Sequence, residues 1–271
     1  MNLQDLNILS RDLSSSDRMP LLFVGHGNPM NAILDNSYSR TWKEIGEKLP
    51  KPKAILSISA HWITQNGTKV TAMEKPETIH DFGGFPEELY QQQYPAPGSP
   101  EFAEETRKMI TSDPVSLDYE WGLDHGTWSV LHPMFPLADI PVYQLSIDYN
   151  KPPQFHFDLG RQIKALREKG VLILGSGNIV HNLRRMRYGE KPFDWAVEFD
   201  EKMRDALIER NDQAIIDFRN MGELASAAHP THDHFLPLLC VAGSRDPKDE
   251  IEFFNAEIDL SSVSMRSVLC R

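Results

Sequence analysis

Pro20-Leu21-Leu22-Phe23-Val24-Gly25-His26-Gly27-Asn28-Pro29-Met30 is an apolar run ended by a histidine between two glycines. Such a run suits a strand covered on both faces, and the Gly/Asn/Pro cluster after it interrupts either regular structure. His26 is therefore expected at the carboxyl end of a strand, the edge at which open α/β sheets bind ligands. The pattern recurs where Ala54-Ile55-Leu56-Ser57-Ile58-Ser59-Ala60 meets His61. It recurs again where Val171-Leu172-Ile173-Leu174-Gly175-Ser176-Gly177-Asn178 leads to His181. Three such strands side by side would aim their histidines into one crevice, as a metal or acid/base site requires. The fold class expected is α/β, a single domain with a mostly parallel central sheet flanked by helices and a metal site at the strand carboxyl ends.

The intervening sequence fits that scheme. Ser39 to Leu49 carries Trp42, Ile45 and Leu49 at helical spacing, and Ser99-Pro100-Glu101 is a helix start that should run to about Thr111. Val70 to Met73 and Val142 to Ile147 read as strands. Asp158 is expected to cap an amphipathic helix bearing Leu159, Ile163 and Leu166, with Gly170 after its end, which delivers the chain into the Val171 strand. Strand, helix, strand is the order of a parallel sheet. Trp195, Phe199, Met203 and Leu207 recur at steps of four and read as core packing. Ile251 to Ile258 and Ser261 to Leu269 should finish the sheet, antiparallel at an edge.

The chain has 271 residues, with 40% hydrophobic and 25% charged residues, enough for one sizeable core. Without a linker-like tract it is read as an amino-terminal arm over 1–18 followed by one catalytic domain over 19–271. A formal charge of −11 disfavours nucleic acid and anionic membranes as partners and favours a small organic substrate. Two cysteines, Cys240 and Cys270, imply no disulfide framework, and no apolar run reaches the roughly 20 residues of a spanning helix. A cytoplasmic protein, monomeric or a small homo-oligomer, is expected.

Two further stretches concentrate chemistry. Thr78-Ile79-His80-Asp81-Phe82-Gly83-Gly84-Phe85-Pro86 and Trp121-Gly122-Leu123-Asp124-His125-Gly126-Thr127-Trp128 are loop-like and aromatic. Both suit the wall of a pocket for a flat molecule, with His80, Phe82, Phe85, Trp121 and Trp128 as wall residues; ordinary packing is the alternative for each. His229, His232 and His234 crowd six positions, which favours one ligand among them without saying which. Pro237 is tolerated only in a helix's first turn, so His234 should stand at a helix start.

Gly25-His26-Gly27-Asn28-Pro29-Met30, Ser59-Ala60-His61-Trp62, Ile79-His80-Asp81-Phe82-Gly83-Gly84-Phe85, Tyr94-Pro95-Ala96-Pro97-Gly98, Gly122-Leu123-Asp124-His125-Gly126, Ser176-Gly177-Asn178-Ile179-Val180-His181-Asn182 and Pro230-Thr231-His232-Asp233-His234-Phe235-Leu236-Pro237-Leu238 together resemble the 4,5-DOPA extradiol dioxygenase family, over about residues 18 to 270. That family belongs to the class III extradiol ring-cleavage dioxygenases, relatives of the protocatechuate 4,5-dioxygenase catalytic chain. The resemblance implies a metal-dependent opening of a catechol such as 3,4-dihydroxyphenylalanine by 4,5-cleavage with O2. It implies one divalent ion per chain, zinc or Fe(II), ligated by His26, His61 and His234. His181 matches a residue described either as an added ligand or as the acid/base, and His125 a second catalytic histidine in the pocket. Substrate contacts would come from His80, Phe82 and Trp121, while His229 and His232 match nothing functional. Three imidazoles with an open position also describe catalytic zinc, so a zinc-dependent hydrolase is an alternative reading, as is a non-catalytic metal-binding interaction protein. His26 and His61 are expected to end neighbouring strands, with His181 outside the ligand triangle.

Overall fold

The computed structural model describes residues 18–271. The expected arm thus lies outside the described residues except for Arg18, which pairs with Asp249 at 2.6 Å. Strands occur at β1 (Leu21–Gly25), β2 (Ala54–Ser59), β3 (Ile63–Thr64), β4 (Thr68–Thr71), β5 (Val115–Asp118), β6 (Val142–Gln144), β7 (Ile147–Asp148), β8 (Val171–Gly177), β9 (Ile251–Phe254), β10 (Ile258–Asp259), β11 (Val263–Ser264) and β12 (Ser267–Cys270). Six of them form the central sheet in the order β6-β2-β8-β1-β12-β9. The first four are parallel; β12 runs antiparallel to β1, and β9 antiparallel to β12. This is the mostly parallel α/β architecture expected, with the antiparallel edge at the chain's end.

Side chains of one strand go to opposite faces, and both faces are covered. Leu21 and Phe23 of β1 join Leu56, Ile173, Phe199, Met203 and Leu239 in one core. Leu22 and Val24 join Ile55, Leu172, Leu174, Trp42, Ile45 and Trp128 in the other. That two-sided burial is why these strands read as continuous apolar runs rather than alternating ones. Both cysteines are buried free thiols. Among the described residues no helix is long and apolar enough to cross a membrane.

Several expectations are corrected. β1 and β2 are not neighbours, because β8 lies between them, with Leu21 paired to Ile173 and Ala54 to Val171. Asp158 caps nothing: the helix runs Pro153–Ile163 with proline in its first turn, so Asp158 falls mid-helix, and a 3-10 segment, Lys164–Lys169, completes the path to Gly170. Gly170 is left-handed at φ 86°, as its place after a helical end demands. The strand expected over Val70 to Met73 is β4, and it pairs with β5 outside the central sheet. The run Val142 to Ile147 splits into β6 and β7, the latter paired with β3. The stretch read as a loop through Trp128 turns helical at His125, over His125–Met134.

Candidate active site

The site is assembled around the carboxyl end of β8. The His26 amide donates to the Gly177 carbonyl at 3.1 Å, and the Ala60 amide donates to the Ser176 carbonyl at 3.0 Å. These bonds extend the ladders past the ends of β1 and β2 and fix His26 and His61 on either side of β8. The third histidine comes from across the sheet end, where the Asn178 amide donates to the His234 carbonyl at 2.9 Å. A side chain at Gly177 would block that approach, since its Cβ would sit 2.2 Å from the His234 oxygen. His234 stands just ahead of the helix Leu236–Gly243, whose first turn holds Pro237 as expected.

The imidazoles converge tightly. Ring centroids of His26, His61 and His234 are 5.0, 5.1 and 5.2 Å apart, and one nitrogen from each lies within 4.8 Å of the others. His26 Nε2 and His61 Nε2 approach to 3.2 Å. The tautomers follow from the outer partners. The Ser176 hydroxyl donates to the Gly126 carbonyl at 2.5 Å, so it can only accept from His26 Nδ1–H, at 3.0 Å, and His26 Nε2 is left with its lone pair. His61 Nδ1 faces Asp81 Oδ2 at 3.4 Å, and His234 Nδ1 bonds the Asp233 carboxylate. Burial, then the neighbouring histidines, hold His26 and His61 well below the usual histidine range, so their lone pairs stay exposed at neutral pH. In the tautomer that turns His61 Nδ1–H toward Asp81, two lone pairs face each other at 3.2 Å and repel unless a cation lies between them. Two nitrogens bound at roughly 2.1 Å to one ion at tetrahedral or right angles would be about 3.0–3.4 Å apart, so the donor set fits a divalent metal.

His181 and His125 flank the triangle, the first against His234 and the second against His61. His181 stacks face to face on His234, centroids 3.5 Å apart and planes at 8°, and burial followed by His234 pushes its pKa well below the usual value. His125 lies 3.8 Å from the His61 ring, its Nδ1 3.0 Å from Asp81 Oδ1 and its amide donating to the same oxygen at 2.8 Å. All five histidines border a cavity of about 300 Å³, whose apolar wall includes Phe82, Phe85, Leu183, Met186 and Val263.

Three carboxylates that the sequence reading gave no role hold this arrangement. Asp81 serves His61 and His125 at once; burial raises its pKa, but the His125 bond and charge outweigh that and keep it ionised. Asp233 is likewise held well below the usual range, burial being outweighed by His234. Asp124 is fully buried; it caps the helix at His125 by accepting from the Thr127 amide at 3.1 Å, and ties it to β2 through Ser59 Oγ at 2.6 Å and to β6 through Gln144 at 2.7 Å. Burial, then Asp81, raises its pKa. The spacing of Asp124 and Thr127 is a capping signal that the sequence does display.

The aromatic wall is only partly as expected. Phe82 and Phe85 line the cavity, edge to face at 5.3 Å. His80 does not line it: it bonds the Gln92 carbonyl at 3.0 Å and packs behind Phe82. Trp121 is outside as well, stacked on Trp62 at 5.9 Å, and Trp128 is core, donating to the Ile79 carbonyl at 2.8 Å. His229 is buried against the Ile179 carbonyl at 2.6 Å, and His232 stacks on Tyr149.

Residues 20–265 match the family described as the catalytic LigB subunit of aromatic ring-opening dioxygenase. The chain belongs to that family. Its relatives include a 4,5-DOPA dioxygenase extradiol of Escherichia coli K12, 47% identical over 94% of this chain and 96% of the relative. Another of the same name from Beta vulgaris is 37% identical over 88% and 91%. The crystal structure of an uncharacterized Escherichia coli K12 protein superposes with a TM-score of 0.81 at 42% identity, covering 93% of this chain and 99% of that one. The activity class that goes with membership is extradiol opening of an aromatic ring.

Proposed function

We propose that the protein cleaves a catechol of the 3,4-dihydroxyphenylalanine type at the 4,5 bond, placing both atoms of O2 in the ring-opened product. One divalent metal ion per chain would be held by His26, His61 and His234. The observation that carries this reading is the convergence of imidazole lone pairs beside a cavity of about 300 Å³ with an aromatic wall, the small end of ligand sites and the size of one ring with a short side chain. The printed names of the Escherichia coli and Beta vulgaris relatives support the same substrate class.

A bound ion supplies Lewis acidity there, and Fe(II), unlike zinc, adds the redox chemistry that O2 needs. The chain's own groups handle geometry and protons. Phe82 and Phe85 present flat apolar surface to the ring. His181, neutral and outside the group formed by His26, His61 and His234, accepts a proton from a catechol hydroxyl. His125, held beside Asp81 and against the His61 ring, hydrogen-bonds substrate or oxygen from the cavity wall. Anaerobic loading with Fe(II), then aerobic assay on a catechol panel, should consume O2 and give a yellow ring-opened semialdehyde. No O2 uptake with any catechol would overturn the proposal.

A further inference from the structure

The cavity's charge inventory is one-sided. Its lining holds the five histidines, apolar and small residues, Asn28, Tyr188 and a single fixed charge, the carboxylate of Asp259; no lysine or arginine borders it among the described residues. The arginines of the adjoining segment are engaged elsewhere or lie off the wall. Arg185 and Arg187 sit over the Phe193 ring at 5.2 and 4.4 Å, Arg187 also pairs with Glu190, and Arg184 is exposed and does not line the cavity.

Asp259 ends β10, and its placement is enforced. Its Oδ1 accepts from the Leu260 amide at 2.8 Å, while Oδ2 has no hydrogen-bond or ion-pair partner among the described residues. The next two residues, Leu260 at φ 49° and Ser261 at φ 62°, are left-handed without being glycine, a conformation that persists only where surroundings impose it. Here they are imposed by bonds from the opposite segment: Arg187 amide to Leu260 carbonyl at 3.0 Å, Phe193 amide to Ser261 carbonyl at 3.0 Å and Asn182 amide to Ser262 carbonyl at 3.1 Å. The turn and the segment carrying Leu183, Met186 and Tyr188 thus form one tied wall. The negative field there registers on the Tyr38 hydroxyl, pushed up to about 12 by burial, then by Asp259 and Glu257.

We propose that Asp259 determines specificity for the catechol's side chain by binding a protonated amine, so that catechols with a cationic side chain are taken in preference to those bearing only a carboxylate. The inference rests on the catechol reading above and assigns the remaining half of the substrate. An ammonium in the cavity would meet the half-buried Asp259 carboxylate among apolar wall residues such as Leu183, Met186 and Val263, where a charge pair is stronger than in bulk water. A lone carboxylate would meet like charge and no cation.

The test uses Fe(II)-loaded protein and anaerobic titration calorimetry with dopamine, 3-(3,4-dihydroxyphenyl)propionate and 4-methylcatechol, with O2 uptake measured separately. Wild type should bind the amine tightest and the acid weakest, with the amine's advantage shrinking as KCl is raised. In Asp259→Asn the amide oxygen can still accept from Leu260, so the turn is kept; the amine-to-neutral affinity ratio should fall about tenfold, the usual worth of a hydrogen bond to a charged group. An acid bound as tightly as the amine by wild type, or a ratio unchanged in the variant, overturns the assignment. Should the variant fail to fold, wild-type ranking and its salt dependence still decide. Absent O2 uptake alongside the expected ranking would instead refute ring cleavage and leave Asp259's role standing.

Discussion

Asp233 offers the sharpest test of how the metal site is held. Its carboxylate bonds His234 Nδ1, and the pair is largely shielded from water, with side-chain exposures of 7% for His234 and 14% for Asp233. Asp233→Asn keeps the shape and leaves an oxygen that can accept from Nδ1–H, so the tautomer presenting Nε2 can survive. What is lost is the charge. A charge-assisted bond contributes about 1.5–3 kcal/mol net and a neutral one ~1, so the change removes about 0.5–2 kcal/mol of support for His234 as a ligand. Partners of metal-binding histidines commonly matter by 10–100-fold in metal affinity, which overlaps the upper part of that range. We expect Asp233→Asn to weaken metal binding roughly 10- to 30-fold, read by competition against a chelator of known affinity, with the circular dichroism spectrum unchanged. Affinity within about twofold of wild type would show that His234 is oriented by backbone placement alone and that the carboxylate is incidental.

Among the remaining predictions, His26→Ala, His61→Ala and His234→Ala should abolish metal retention, whereas His181→Ala keeps most of the metal and loses turnover; metal content per chain decides, and an equally metal-free His181→Ala would make it a fourth ligand. Phe82→Ala should raise the catechol KM by about tenfold, whereas Trp121→Ala should lower the melting temperature and leave KM alone, because its ring stacks outside the cavity. Burial pushes His156 down to about 4 against the opposing pull of Asp148, so the folded state keeps it neutral while the unfolded chain protonates near 6.5. Its contribution is present above pH 6.5 and is lost as pH falls toward 4, at about 1.4 kcal/mol per pH unit; His156→Gln should reduce the slope of denaturation free energy against pH in that window by about this much, and an unchanged slope would refute it. Gly177→Ala would set a methyl 2.2 Å from the His234 carbonyl, so the chelator assay should show metal affinity falling more than tenfold while the sheet persists; affinity within twofold would mean that the helix start yields freely.

The central strands were legible because both of their faces are buried. Leu21 to Val24 and Val171 to Leu174 are apolar without interruption, and the glycines after them mark where the chain turns toward a site. His26 and His61 could be placed from that alone. Strand order could not, since nothing in the runs says which strand enters between which. Crowding points to one ligand among His229, His232 and His234 and Pro237 sets His234 at a helix start, but only the family resemblance singles out His234, because three histidines within one loop share the same local pattern. Asp81 and Asp233 had no period to betray them: a single acid in a loop looks alike whether it braces an imidazole or meets water. Trp121 sat among residues that do surround the site, yet its partner, Trp62, follows a different strand, and that contact is visible only in three dimensions.

The insertion of β8 between β1 and β2 explains why a strand that carries none of His26, His61 and His234 still shapes the site. Neighbouring strands lie roughly 4.8 Å apart, so side chains from directly paired strand ends would crowd one another, whereas two ends separated by an intervening strand lie about 10 Å apart and must lean inward to meet. His26 and His61 do lean inward, reaching 3.2 Å between Nε2 atoms above the end of β8. The space beneath them belongs to β8's terminal residues. Ser176 uses it to fix the His26 tautomer, and Gly177 uses it to admit the His234 backbone. A larger residue at either position would separate the nitrogens that the flanking strands bring together. The middle strand thus supplies the spacing of the two flanking histidines and the tautomer of His26, and leaves the converging nitrogens to its neighbours. The tied turn around Asp259 touches the same cavity without carrying any of the three converging histidines, so the proposed side-chain specificity can vary there without disturbing the proposed ligands.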